Sequence, residues 1–391
     1  MFDFDEVIDR RGTHSNKWDS LEQLFGITDP DAIAMWVADM DFRAPPAVNE
    51  AIRALCDHGV HGYFGDYSDM KTAVVNWMAT RHDWEVDPDW VGATHGLVSA
   101  IGLSLQALTE PGDGVVVFSP VYHAFGRVVR ANGRELIESE LRNVQGRYEM
   151  DLEALGQDLP TNARVVLFCS PHNPGGRVWT PEELRALAAF CAERDLILIC
   201  DEVHHDLVYP EATHHVLANL APEIHDRLIT LTAPSKTFNI AGALTGNTII
   251  RNPDFRKRID QAAGAAGVGS KNRFGMTAAT AAYQGGAPWL DALIPYLQDN
   301  RDRLAGAVAE NLPGVRAMHL QSTYLAWLDF TALGLTPQDL LKKVHQDASI
   351  AVNAGPSFGK GGDGWLRFNF ACPRATLDRA IDRLTDVFGQ V

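Results

Sequence analysis

Three polar clusters stand directly after apolar, β-branched runs, and each holds a residue able to do chemistry. Asn173 sits in SPHNPGG after a run ending at Cys169, Asp201 opens DEVHHD after a run ending at Cys200, and Lys236 lies in APSKTFNIAG after a run ending near Thr232. A lysine amine is a nucleophile toward carbonyl compounds and, once freed, a base. A carboxylate accepts protons, and an amide donates hydrogen bonds. Taken singly each residue has an ordinary explanation: Asn173 starts a turn, Asp201 caps a loop, Lys236 is a solvated surface lysine. Their shared placement argues otherwise. All three follow predicted strands, and open α/β sheets bind ligands beyond the carboxyl ends of their strands.

Such residues need a rigid sheet to hold them. GVVVF (114–118), ARVVLFC (163–169), DLILIC (195–200), RLITLT (227–232) and NTIIR (247–251) read as buried strands. Continuous apolar runs of this kind belong to a parallel sheet covered on both faces. Segments 97–108 and 181–195 read as helices, the second opened by Thr180 as N-cap with Pro181 at its first position. The alternation describes an α/β unit with right-handed crossovers. After about residue 285 it gives way to a long helical stretch (288–312), alternating segments at 323–330 and 365–371, and a last helix. That is the outline of a smaller α+β domain.

The chain has 391 residues, with 34 Lys+Arg against 50 Asp+Glu and a net charge of −16. This balance argues against nucleic acid or anionic lipid as partner, because such binding neutralises phosphates with Lys and Arg. No apolar run is long enough to predict a membrane span, and the polar, acidic start lacks the apolar stretch of a secretory signal. The cysteines (Cys56, Cys169, Cys191, Cys200 and Cys372) are odd in number and form no CxxC pair. They fit a reducing, cytoplasmic setting.

The order Asn173, Asp201, Lys236, with PVYHAF at 120–125 and THGLVSA at 94–100, resembles the fold-type I pyridoxal-phosphate enzymes of the class I/II aminotransferase superfamily over nearly the whole chain. KWD (17–19), MWVADMDF (35–42), PVYH, SPHNPGGRVW, DEVHHDL, TAPSKTFNIAG and RFNFACPR are similar to one subgroup, the MalY/PatB-type cystathionine β-lyases, or cysteine-S-conjugate β-lyases. The resemblance implies an α/β architecture with a mostly parallel sheet in a large cofactor domain (45–285). An N-terminal arm (1–44) contributes to a small domain completed by 286–391.

It also implies roles. Lys236 forms the Schiff base with the cofactor and acts as general base; Asp201 keeps the ring nitrogen protonated, and Asn173 donates to the ring oxygen. Tyr122 stacks on the ring and stands near the leaving group. Gly96, Leu97 and Val98 offer backbone N–H groups to the phosphate at a helix N-terminus, joined by Ser235 and, from a second subunit of a homodimer, by Tyr63. Arg367 takes the substrate carboxylate as a fork, with Trp36, Ala38 and Asn173 on the substrate side and His204 beside the cofactor. The implied reaction is α,β-elimination from an amino-acid substrate, an L-cysteine S-conjugate, to thiol or persulfide, pyruvate and ammonia. An amino-acid aminotransferase is the alternative enzyme. A pyridoxal-phosphate-binding regulator acting through protein contacts is the alternative outside enzymes.

Two departures from the aminotransferase pattern point to the lyase side: His204 stands where that branch has Tyr, and Leu244 where it has a phosphate-holding Arg. Ala124 and Ser322 in turn depart from the lyase pattern. GAAGVGSK (264–271) has Ser and Lys in the wrong order for a phosphate-binding P-loop and follows a charged helix, so it reads as a loop near the active site. The histidine pairs at 58/61, 204/205 and 214/215 lack ligand spacing, so no metal is expected and surface or supporting roles are assigned to all but His204.

Overall fold

The computed structural model describes residues 2–389. Its central sheet has seven strands: β1 (Val91–Thr94), β2 (Gly114–Ser119), β3 (Glu135–Glu140), β4 (Ala163–Cys169), β5 (Ile197–Asp201), β6 (Leu228–Thr232) and β7 (Gly246–Ile249). They lie in the order β1-β7-β6-β5-β4-β2-β3. Neighbours from β3 through β6 pair in parallel, whereas β7 runs antiparallel to both β6 and β1.

The period of two along each strand divides the core. Val115, Val117, Val165, Leu167, Ile199 and Ile229 face helices α2 (Leu97–Leu108), α3 (Ala124–Ala131) and α5 (Pro253–Ala265). Their neighbours Val116, Phe118, Val166, Phe168, Leu198 and Cys200 belong to the opposite core, with Trp77 of α1 (Ser68–His82) and Leu184 and Leu187 of α4 (Pro181–Glu193). The α4 start is the expected one. Thr180 Oγ1 accepts from the Glu183 N–H while the Glu183 carboxylate accepts from the Thr180 N–H, a reciprocal cap.

Three features differ from the sequence reading. The 247–251 run is not a parallel strand. Only residues 233–245 join β6 to β7, and they build the Lys236 turn without a full crossover helix, so the chain returns antiparallel. Strand β1, expected before THGLVSA but given no bounds there, is the short, glycine-broken VGAT, and β3 escaped notice because ELIESE, at the sheet edge, carries no apolar run.

In the C-terminal third, β8 (Arg316–Ala317), β9 (Leu325–Asp329), β10 (Asn353–Ala354) and β11 (Trp365–Asn369) form an antiparallel sheet in the order β8-β9-β11-β10. Helices α6 (Ala287–Asn311) and α7 (Arg374–Phe388) pack beside it. Near the other end of the chain, Ile33–Ala34 pairs in parallel with Ile350–Ala351. This pairing carries the 35–42 block from the N-terminal arm to the site.

Candidate active site

Three strand exits converge. The chain leaves β4 through Asn173, β5 ends on Asp201, and β6 leads into the short helix Pro234–Thr237 that carries Lys236. A cavity of ≈ 110 Å³ opens between them, and Ala38, Leu97, Val98, Tyr122, Asn173, Asp201, His204, Ser235 and Lys236 all line it. The sequence reading missed two wall residues, Cys169 and Val203. An apolar residue and a buried thiol carry no signal apart from their place beside a strand end.

Burial sets the electrostatics. It lowers the Lys236 pKa from 10.5 to about 8; Asp39 opposes the shift, Arg367 adds to it, and Asp201 opposes it. Burial raises Asp201 to about 7, against the hydrogen bond from the Val203 N–H (3.1 Å) and the charge of Lys236. His204 is held well below the usual histidine range by burial and by the positive charges of Lys236 and Arg367. Its ring is therefore neutral, and its buried Nδ1 has no hydrogen-bond partner. Burial likewise raises the Tyr122 phenol.

Arg367, on β11, is 2 % exposed. It donates from Nη1 to Asn173 Oδ1 (3.1 Å) and from Nη2 to the Trp36 carbonyl (2.9 Å) and Asn353 Oδ1 (2.7 Å). All three acceptors are neutral, Nε has no partner, and among the described residues no acidic side chain pairs with this cation. Burial consequently lowers its pKa to about 10. A buried guanidinium lacking an anion is a ready carboxylate receptor.

The 36–42 block forms one wall and is held through its carbonyls. Ala38 O accepts from Lys236 Nζ (2.6 Å) and Tyr324 Oη (2.9 Å). Asn369 Nδ2 donates to Val37 O and Asp39 O, and Asn239 Nδ2 to Met40 O and Phe42 O. Buried Lys17 donates to Asp39 O and Asp41 Oδ2. Tyr324, Asn353, Asn239 and Asn369 were not singled out from sequence, because a residue that ties down a carbonyl has no motif of its own.

At the other end of the cavity stands the N-terminus of α2. Gly96, its N-cap, has φ 82°, and no side chain caps the first turn. The approach is tight: a Cβ on Gly246 would lie 2.6 Å from Leu97 Cδ2 and 3.0 Å from the Gly96 carbonyl carbon. The GAAGVGSK loop passes here as expected, with His95 Nε2 donating to Ser270 O (2.9 Å) and Lys271 Nζ to Ala93 O (2.6 Å).

One expected site residue lies elsewhere, and one faces out of this chain. The Trp36 side chain does not line the cavity; its Nε1 donates to Lys17 O (2.9 Å) and its ring packs on Phe25, so it touches the site only through the carbonyl that holds Arg367. Tyr63 is 97 % exposed and reaches no cavity wall within one chain.

The aminotransferase class I and II family profile matches residues 31–384. The chain belongs to that family. It is 41 % identical over 385 residues to cystathionine β-lyase PatB of Bacillus subtilis, covering 97 % of this chain and 98 % of that protein. Among solved structures it is similar to cystalysin from Treponema denticola, which contains pyridoxal 5′-phosphate (TM-score 0.95, 35 % identity, covering 99 % of this chain and 98 % of that one). It is also similar to the pyridoxal-phosphate-bound C–S lyase of Staphylococcus hominis (TM-score 0.92, 30 % identity, 99 % and 98 % covered). By these likenesses the chain sits among the carbon–sulfur lyases of a pyridoxal-phosphate-dependent family.

The residues present fit that cofactor. An uncapped helix N-terminus suits a phosphate. Asp201, buried with a single backbone donor, suits a protonated ring nitrogen, and Lys236 stands in the same cavity with its pKa already lowered. Among the described residues no helix is long and apolar enough to cross a membrane.

Proposed function

We propose that this chain is a carbon–sulfur β-lyase that eliminates the β-substituent of L-cysteine S-conjugates. The observation that carries the proposal is the single cavity shared by Lys236, Asp201, Asn173 and Tyr122, beside a buried Arg367 that has no anion. The choice of sulfur chemistry is supported by the lyase relatives.

When bound, pyridoxal phosphate condenses with amines and its protonated ring accepts the electron pair left by a departing Cα proton. The protein's own groups do the rest. The Gly96–Val98 amides and Ser235 would hold the phosphate, and the Asp201 carboxylate would pair with a protonated ring nitrogen. The Asn173 amide would donate to the ring oxygen, Tyr122 and His204 would pack against the ring, and Ala38 would close the substrate side. Arg367 fixes the substrate carboxylate, which leaves the Cα–H facing Lys236. The Lys236 amine takes that proton. The Cβ–S bond then breaks, the thiolate leaves with its electron pair, and addition of water yields pyruvate and ammonia.

We also propose a homodimer whose sites lie at the interface, with Tyr63 reaching the partner's phosphate. Support comes from exposed apolar side chains at Val60 (64 %), Tyr63, Leu244 (58 %) and Phe274, with the His61 ring packed on Phe274 at 5.2 Å. Arg273 donates to Gly62 O and Tyr63 O. Sedimentation of the purified protein tests this; a monomer at assay concentration contradicts it. A cytoplasmic location and the division at residues 45 and 285 belong to the same proposal.

The functional test is direct. Holoenzyme is given L-cystathionine, L-cystine or another cysteine S-conjugate with no 2-oxo acid present, and pyruvate and thiol are followed. Acceptor-free pyruvate supports the lyase. Turnover that requires a 2-oxo acid makes it an aminotransferase, and cofactor binding without turnover makes it a binding protein.

A further inference from the structure

Behind the catalytic cavity, three histidines and two carboxylates gather from three segments. His82 ends α1, Glu202, His205 and Asp206 lie in the turn after β5, and His214 follows in the 210–216 stretch. Asp206 and Glu202 are both buried there. Among the described residues neither pairs with Lys or Arg; their only ionic partners are imidazoles. His82 Nε2 lies 2.8 Å from Asp206 Oδ1, His205 Nε2 3.2 Å from Asp206 Oδ2, and His214 Nε2 2.9 Å from Glu202 Oε2.

His205 supplies the decisive observation. It is 2 % exposed, and neither of its ring nitrogens has a hydrogen-bond partner, because the Asp206 contact is not aligned for one. A buried imidazole with two idle nitrogens, set between two buried carboxylates, is an incomplete arrangement.

We propose that His82, His205 and Asp206 bind one divalent cation of the zinc type, with the Glu202–His214 pair flanking it. One ligand atom from each of the three lies within 4.8 Å of the others. The ion would take the place of the proton in the 2.8 Å His82–Asp206 hydrogen bond, and the stacked His82 and His205 rings (4.2 Å, 24°) turn apart to meet it at about 2.0–2.1 Å. The imidazole and carboxylate set suits zinc and its d-block neighbours, whereas magnesium and calcium favour oxygen alone. Trp77 Nε1 (3.0 Å) and Thr237 Oγ1 (2.7 Å) donate to Asp206 and orient it, as outer partners of metal ligands do. An open cavity of ≈ 460 Å³ lined by His82, Asp83, Thr213 and His214 gives entry.

The sequence reading assigned no metal and a surface or supporting role to His205. His82 lies more than a hundred residues from the adjacent His205 and Asp206 and meets them only in the fold, so no spacing rule finds the set. The ion fastens α1 to the turn behind Asp201. Through Thr237 it also steadies the helix of Lys236. Its role is structural, outside the reacting atoms.

The test uses holoenzyme freed of metal by chelation and desalting, titrated with zinc chloride by calorimetry, with thermal unfolding in parallel. One zinc per chain and a raised Tm are expected. His205→Ala and His82→Asn should each weaken zinc at least about tenfold, with the cofactor absorbance at Lys236 intact as proof of folding. Cobalt in place of zinc should give visible absorption bands that His82→Asn removes, which decides the matter if His205→Ala does not fold. Absence of saturable zinc binding, or binding that survives substitution, overturns the proposal.

Discussion

In the cofactor-free protein, Lys236 should react with pyridoxal phosphate as an amine of pKa about 8. Burial strips water from the ammonium and lowers its pKa from 10.5; Asp39, the strongest opposing charge, limits the fall. The difference between 10.5 and 8 is 2.5 units. Well below both values it gives roughly 300 times more free amine than a solvated lysine has. The assay mixes cofactor-free enzyme with pyridoxal phosphate at pH values from about 6 to about 10, traps the adduct with borohydride, and quantifies the Lys236 peptide by mass spectrometry. The trapping rate should climb tenfold per pH unit below the midpoint and level off above it. Asp39→Asn should move the midpoint down, because the charge that favours the ammonium is gone. A rate still rising tenfold per unit up to about pH 10, as for a lysine of ordinary pKa, would refute the reasoning.

Asp201 predicts a stability effect with a definite sign. Its folded pKa is raised from 3.8 to about 7, so between these values the folded chain keeps a proton that the unfolded chain gives up. The cofactor-free protein therefore loses stability as pH rises through this window, by up to about 4 kcal/mol above it. Asp201→Asn should raise the cofactor-free Tm at about pH 8 and leave it unchanged at about pH 3; a gap independent of pH contradicts this. Gly246→Ala should push the α2 N-terminus away, costing about 1–3 kcal/mol of stability and weakening pyridoxal phosphate in an absorbance titration. Unchanged affinity would show that the first turn of α2 does not hold the phosphate. Arg367→Lys keeps the charge but loses the fork, so kcat/KM should fall roughly a hundredfold, about 3 kcal/mol, with cofactor absorbance retained. A change confined to the cofactor spectrum would place Arg367 elsewhere in the mechanism.

The sequence was most legible where a functional residue follows a long apolar strand. Asn173, Asp201 and Lys236 were singled out that way, and the structure brings them to one cavity. Direction was not legible at β7, since a four-residue buried strand reads the same either way. Trp36 was misassigned because position in a motif says which segment is near the site, not whether side chain or carbonyl faces it. The clamp on 36–42 was invisible for the same reason: Asn369 and Tyr324 act on backbone oxygens that no local pattern marks. The approach of His82 to the adjacent His205 and Asp206 was not legible, because tertiary packing alone brings it there.

The central claim is that Lys236 removes the Cα proton and thereby releases the β-thiolate. The most direct measurement gives Lys236→Ala, loaded with pyridoxal phosphate, a cysteine S-conjugate in heavy water, and follows Cα exchange and thiol release against the wild type. Both processes should be present in the wild type and absent from the variant, whose cofactor remains bound through the α2 amides and Asp201. Thiol release from the variant at the wild-type rate would contradict the account.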